Sequence, residues 1–369
     1  MPKKIKKRIE KKLSKHKNLN HLYQKLKLAN FLWLLSLKLK NIFSKKIKVG
    51  FGPIISGEND LKSRKWHIDP IVNIINKHSK KYTAGVFFHG GNLDKFDIIV
   101  IVRLFDRISN DYIKKLKSKN KIFIYHIIDN PEHCERNYEK DIEFIRLMDG
   151  IIYCNPLQEK QVKKNNPQIT LIQSPIINNE YKKDYHNHNP IRILWEGHKL
   201  HFPPMEKIIS ILRKLNKAHR LKLVLFSNMT EENIKEKNKE IIKIIQWEKD
   251  IRDKILANSD IAVTIKKNTK YIQQKPNTKV VSYLAAGLPL ICTPSPSDKL
   301  AVEHEKTGFH AYSKKDWEKY LKLLIQNKEL REKIGKQGRK HVYKNNTIHK
   351  ITKEHIDFFN KILSKIIKL

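Results

Sequence analysis

From residue 47 to 178, and again from 190 to 345, short apolar runs alternate with stretches of helical periodicity. Few architectures accept that pattern. Apolar runs read as strands over residues 48–52 (KVGFG), 83–88, 97–102, 122–128, 150–154 and 169–172. Helical patterns separate most of them, over 66–78, 110–119, 136–148 and 157–164. A strand that is apolar along its whole length, rather than at alternate positions, is covered on both faces, as in a parallel sheet. A polar stretch, NNEYKKDYHNHNP over 178–190, reads as a linker ending in Pro. The alternation then restarts, with strands expected over 191–195, 221–226, 241–246, 261–265, 288–293 and 308–312. Helices are expected over 204–218, 231–240 and 250–257, from 275 onward, and over 328–343 and 347–368. Ser313 and Asp316 have capping-box spacing ahead of another. The fold class expected is α/β, with two doubly wound parallel-sheet domains facing a cleft.

A chain of 369 residues, 40% hydrophobic, has material for two such cores. Its charge is unusual: 76 Lys and Arg against 37 Asp and Glu, a formal +39. The excess is spread along a sequence rich in Ile, Lys and Asn, so it points to a partner only where it clusters. One cluster is at the start. Residues 1–46 read as a basic, amphipathic helical extension in which KKIKKRIEKKLSKHK precedes the apolar run LANFLWLLSL. That run is too short to span a bilayer and fits a helix on an anionic membrane surface. The alternatives are a helix packed on the body of the protein and a nucleic-acid-binding arm; the aromatics are not interleaved with the lysines as the last would require. Cys134, Cys154 and Cys292 show no C-x-x-C spacing, which points to a reducing, cytoplasmic setting. The pair His186 and His188 lacks the Cys or carboxylate partners of a metal site, and no metal is expected.

The second cluster is KPNTKVVSYLAAGLPLICT, residues 275–293. Its basic opening starts a helix that Gly287 stops, and a helix N-terminus with lysines attracts anions. A solvated helix start is the alternative reading. In open parallel sheets, ligands bind beyond the carboxyl ends of the strands. That rule gathers Gly197 and His198, Lys266, and Lys275, Asn277, Thr278 and Lys279 on one edge of the second sheet. On the first sheet it selects Ser56 and Gly57, Arg103, and Asp129. Asp129 is suited to orient or deprotonate an acceptor hydroxyl, or to cap a turn before Asn130-Pro131. His126, inside an apolar strand, reads as a core histidine. Neither G-x-G-x-x-G nor G-x-x-x-x-G-K-[ST] occurs, so no dinucleotide fingerprint or P-loop is present.

The run over 275–309, KPNTKVVSYLAAGLPLICTPSPSDKLAVEHEKTGF, resembles the donor-binding segment of GT-B nucleotide-sugar glycosyltransferases of the large retaining, group 1 type. Glu303, Gly308 and Phe309 echo the tail of that segment, and the weaker resemblance covers 191–345. It implies two Rossmann-like domains, an acceptor domain over 47–178 and a donor domain over 190–345, followed by a C-terminal helix over 346–369 that packs back on the first. It also implies transfer of a hexose from a nucleoside-diphosphate sugar to an acceptor hydroxyl, retaining and metal-independent, with no cofactor beyond the donor. The family often has two glutamates spaced E-x7-E; Gln274 and Ser282 hold those positions here. By resemblance, Gln274 contacts the donor sugar as a catalytic residue, Ser282 the ribose, and His198 takes an arginine's place. The partners expected are a nucleotide sugar and a glycan or lipid-linked acceptor, such as a lipopolysaccharide-type glycan, at the cytoplasmic face of a membrane. No specific nucleic acid is expected. Loss of both glutamates also fits a catalytically inactive nucleotide-sugar-binding protein.

Overall fold

The computed structural model describes residues 46–54, 67–103, 108–128, 138–176, 188–248 and 250–368. Residues 1–45, and with them the expected membrane-surface helix, lie outside the described residues.

The first domain runs β1 (Ile47–Ile54), α1 (Asp69–His78), β2 (Tyr82–Phe88), β3 (Ile98–Val102), α2 (Asn110–Ser118), β4 (Ile122–Ile127), α3 (Tyr138–Leu147), β5 (Gly150–Tyr153), α4 (Pro156–Lys163) and β6 (Ile169–Leu171). Its six strands pair in parallel in the order β2-β1-β3-β4-β5-β6. β3 and β4 are buried at every position, as continuous apolar runs in a two-faced sheet must be.

The second domain contains β7 (Ile191–Glu196), α5 (Met205–Leu215), β8 (Leu221–Ser227), β9 (Ile242–Gln246), α6 (Arg252–Ala257), β10 (Ile261–Thr264), α7 (Lys270–Gln273), α8 (Thr278–Ala285), β11 (Leu290–Cys292), α9 (Asp298–Ala301), β12 (Phe309–His310), α10 (Lys314–Gln326) and α11 (Lys328–Asn345). The strand order is β12-β11-β10-β7-β8-β9, again parallel throughout. The order reverses at β7/β10, and at β1/β3 in the first sheet, where ligands of such sheets bind.

The expected helix over 231–240 is instead two 3-10 segments, Glu231–Asn233 and Glu236–Ile241. EENIKEKNKE carries one apolar residue, Ile234, and so has no stripe to hold a full helix on the sheet. The helix expected to open at Lys275 begins at Thr278, because the Asn277 side chain donates to the Ser297 carbonyl (2.9 Å) and makes no helix cap. Gly287 ends it with φ of 74°, a left-handed conformation that glycine adopts without strain.

The chain then returns to the first domain in α12 (Ile348–Lys368). Ile351, Phe358, Phe359, Ile362 and Leu363 join the core formed by β1, β3, β4 and α1. The approach is close: a Cβ on Gly150 would lie 2.8 Å from both Ile362 and Phe358.

Candidate functional site

Beyond the carboxyl end of β7, Glu196 and Arg252 form a buried bidentate pair, with both nitrogens 2.9 Å from carboxylate oxygens. Trp247 Nε1 donates to the same carboxylate at 3.3 Å. Burial alone would raise the Glu196 carboxyl; Arg252, Lys279 and Trp247 outweigh it and hold it below the ordinary glutamate range. The Glu196 backbone carbonyl accepts from Lys279 Nζ at 3.0 Å, so one residue anchors two cations. Desolvation, with Arg252, Lys275 and Lys266 nearby, lowers the Lys279 pKa against the pull of Glu196. Lys266 is bonded to the fully buried Asp298 and to Ser295 Oγ (3.1 Å). Lys275 Nζ lies 4.7 Å from the centre of the Tyr271 ring.

These lysines converge on His201, in the 3-10 turn Lys199–His201 that follows β7. Desolvation, then the charges of Lys275, Lys279, His198 and Lys267, lower its pKa to about 4. A neutral imidazole thus sits inside a ring of cations, which is an environment for an anion. His198 is turned aside: its Nε2 lies 2.9 Å from Asn228 Nδ2 and its Nδ1 accepts from Leu200 N–H at 3.3 Å. The Gly197 N–H donates to Phe226 O (3.2 Å), and a Cβ there would meet the Trp195 ring at 2.5 Å.

Gln274 is 1% exposed, and its Oε1 has no hydrogen-bond partner; Asn277 Oδ1 is in the same condition. A buried acceptor without a donor costs about 1–3 kcal/mol unless a ligand supplies one. Ser282 Oγ donates to its own helix at Thr278 O (2.9 Å), leaving only lone pairs for a ligand. Thr278 Oγ1 lies 3.0 Å from Ser174 Oγ, and Asn277 Nδ2 reaches Gln173 Oε1 at 3.4 Å, so both link the two domains.

On the first domain, Ser56, Gly57 and Asp129 lie outside the described residues. Arg103 ends β3 with φ of 64°, rare for a residue with a side chain, and its N–H donates to His126 O at 3.0 Å. Its charge also acts on His67. A small cavity between the domains is lined by His67, His126, His355, Cys154, Ser174 and Pro276. Desolvation first, then Arg103, pushes His67 to about 4. Desolvation takes His355 to the same value, its Nδ1 lying 2.8 Å from Ile351 O. Burial beside His355 and His67 holds His126 well below its ordinary range. The expected core histidine is therefore one of three, contributed by α12 as well as by the sheet.

Residues 209–357 match the protein-family model described as "Glycosyl transferase-like". No curated protein sequence matches the chain. Among solved structures, a glycosyltransferase from Rickettsia africae superposes with a TM-score of 0.62 at 13% identity, covering 87% of this chain and 99% of that one. HepE from Anabaena, in complex with UDP and glucose, gives 0.61 at 12% identity over 86% of this chain and all of the other. TarM gives 0.54 at 14% identity over 71% of this chain; the alignment spans only 54% of TarM. The fold is GT-B. The group 1 resemblance read from residues 275–309 is borne out.

Within this GT-B scaffold, the sequence reading brought Lys266, Lys275, Lys279 and Gln274 to one edge, and they lie there. It missed His201, the Glu196–Arg252 pair and the residues of the first domain that touch the donor loop. Among the described residues, no group of three or more His, Cys, Asp or Glu could hold a metal ion, and no helix is long and apolar enough to cross a membrane.

Proposed function

We propose that this protein is a glycosyltransferase that moves a hexose from a nucleoside-diphosphate donor to an acceptor hydroxyl. The observation that carries it is the ring of Lys275, Lys279 and Lys267 around His201 at the strand-order reversal of the second sheet. A sugar diphosphate needs cations twice: for binding, and again as charge builds on the leaving group when the glycosidic bond breaks. Lysines fixed by Glu196 and Asp298 meet that need without reorganising, which supports a metal-independent reaction. The unpartnered amide oxygen of Gln274 accepts a sugar hydroxyl in this reading and stands in for the family's glutamate. Retention of configuration rests on the group 1 resemblance. The acceptor is a glycan or a lipid-linked glycan at the cytoplasmic face of a membrane, which residues 1–46 would contact. The Staphylococcus aureus TarM structure, solved with UDP and alpha-GlcNAc-glycerol, supports an acceptor of that kind.

The test is a panel of nucleotide sugars, scored first by the rise in Tm and then by transfer or hydrolysis. One nucleotide sugar is expected to raise Tm and turn over, and Gln274→Ala is expected to reduce turnover at least tenfold, roughly the loss of one transition-state hydrogen bond. Stabilisation without turnover would favour the inactive binding protein, which the engaged hydroxyl of Ser282 also fits. No stabilisation by any donor would sink both.

A further inference from the structure

Three consecutive backbone carbonyls of the donor domain, at Gln273, Gln274 and Lys275, are each gripped by a side chain of the other domain. Asn155 Nδ2 donates to Gln273 O at 2.8 Å and to Lys275 O at 3.1 Å. Gln158 Nε2 reaches Gln274 O at 3.4 Å. Both side chains are completely buried. Their orientation is fixed from behind. Asn155 caps α4 with its oxygen, accepting from Leu157 N at 3.0 Å. Gln158 closes the capping box, its oxygen accepting from Cys154 N at 3.1 Å and Asn155 N at 3.2 Å. An amide has one oxygen and one NH2 group; when the helix end takes both oxygens, both NH2 groups must face outward. The donor loop is what they meet.

We infer that Asn155 and Gln158 are positioning residues, which set the Gln274 amide for the donor sugar by holding the three peptides around it. This rests on the donor-site reading of Gln274. The loop is gripped from the second domain as well, since Ser297 Oγ donates to Lys275 O at 2.7 Å. Gln274 thus occupies a short segment fixed on both sides, while its own Oε1 is left without a partner. A displacement of about 1 Å at such a residue is enough to cost 10- to 100-fold in rate. The first domain therefore contributes to donor chemistry through the cap of a helix, without touching the donor itself.

Two substitutions separate cap from grip. Asn155→Ser keeps an N-cap oxygen but loses the NH2 group that reaches the loop. Gln158→Glu keeps the acceptor for Cys154 and Asn155 but places a carboxylate against the Gln274 carbonyl. Each is expected to lower kcat roughly tenfold or more, with donor KM changed less than about threefold. In the Gln274→Ala background, neither is expected to lower kcat further by more than about twofold, because the residue they position is gone. That non-additivity distinguishes positioning from a general loss of structure, which would add to Gln274→Ala and lower Tm in both backgrounds. Unchanged kcat in Asn155→Ser and Gln158→Glu, or losses that multiply with Gln274→Ala, would overturn the inference and leave the glycosyltransferase reading intact. Failure of the unmodified protein to turn over any nucleotide sugar would overturn that reading and this inference with it.

Discussion

His201 is neutral at pH 7 because a proton on it would face Lys275, Lys279, His198 and Lys267 after already losing water. A bound diphosphate reverses that balance, since its negative charge among the same cations favours the imidazolium. The folded, unliganded protein has the depressed pKa and the complex the higher one, so protons are taken up on binding and affinity rises as pH falls. A return to about 6.5 in the complex corresponds to roughly tenfold tighter binding near pH 5.5 than near 7.5. Calorimetric titration with a nucleotide sugar, whose own phosphates carry no proton in this range, measures it. His201→Gln is expected to flatten the dependence. Single residues were only partly legible in the sequence. Lys275 and Lys279 could be placed because they start a helix at a strand end. His201 could not, because its neighbours come from a different loop. The Glu196–Arg252 pair spans 56 positions with no pattern to join them.

At the scale of elements, α12 belongs to the first domain's core although it follows the second domain in sequence. Phe359 is fully buried, with its ring centre 5.9 Å from Tyr82 and 6.4 Å from Phe51. Phe359→Ala is expected to destabilise the first domain by about 3–5 kcal/mol, the cost of a large cavity in a packed core. Urea denaturation followed by Trp fluorescence, together with near-UV circular dichroism for the Tyr and Phe environment of α12, would show it. The strands of both sheets were legible because each is a continuous apolar run, and Ser313 and Asp316 do form a capping box. The cap at Asn155-Pro156-Leu157-Gln158 has the same four-residue signature with Pro inside it, and was available to be read. That its outward amides grip a loop some 120 residues away was not, because capping patterns are local and the docking of two domains is not. The 231–240 segment misled because charged residues with good helix propensity outweighed the missing apolar stripe.

For the molecule as a whole, the junction of the domains has a titration of its own. His67 and His355 are each near 4 and His126 is well below its ordinary value, all within one cavity and with Arg103 beside His67. Unfolded, these histidines titrate near 6.5, so the unfolded chain binds more protons between about pH 6.5 and 4. Stability is expected to be level above pH 6.5 and to fall by a few kcal/mol on acidification to about 4.5. Thermal unfolding across that range measures the slope, and His355→Leu is expected to reduce it. The overall plan was legible at this scale, since the polar stretch over 178–190 separates two runs of the same alternation. The order of the strands was not, because parallel pairing leaves no mark on the sequence of a buried strand. One consequence lies in where the chain crosses. Ile176 N–H donates to Asn346 O at 2.7 Å, and Asn346 Nδ2 donates to Ser174 O at 3.0 Å. The exit from the first domain and the re-entry to it are therefore side by side. Topologically the donor half is an insert, and severing the chain within 178–190 would leave it tethered through Asn346. A chimera that exchanges donor specificity has its natural splice points at these two neighbouring residues, with α12 staying behind with the acceptor half.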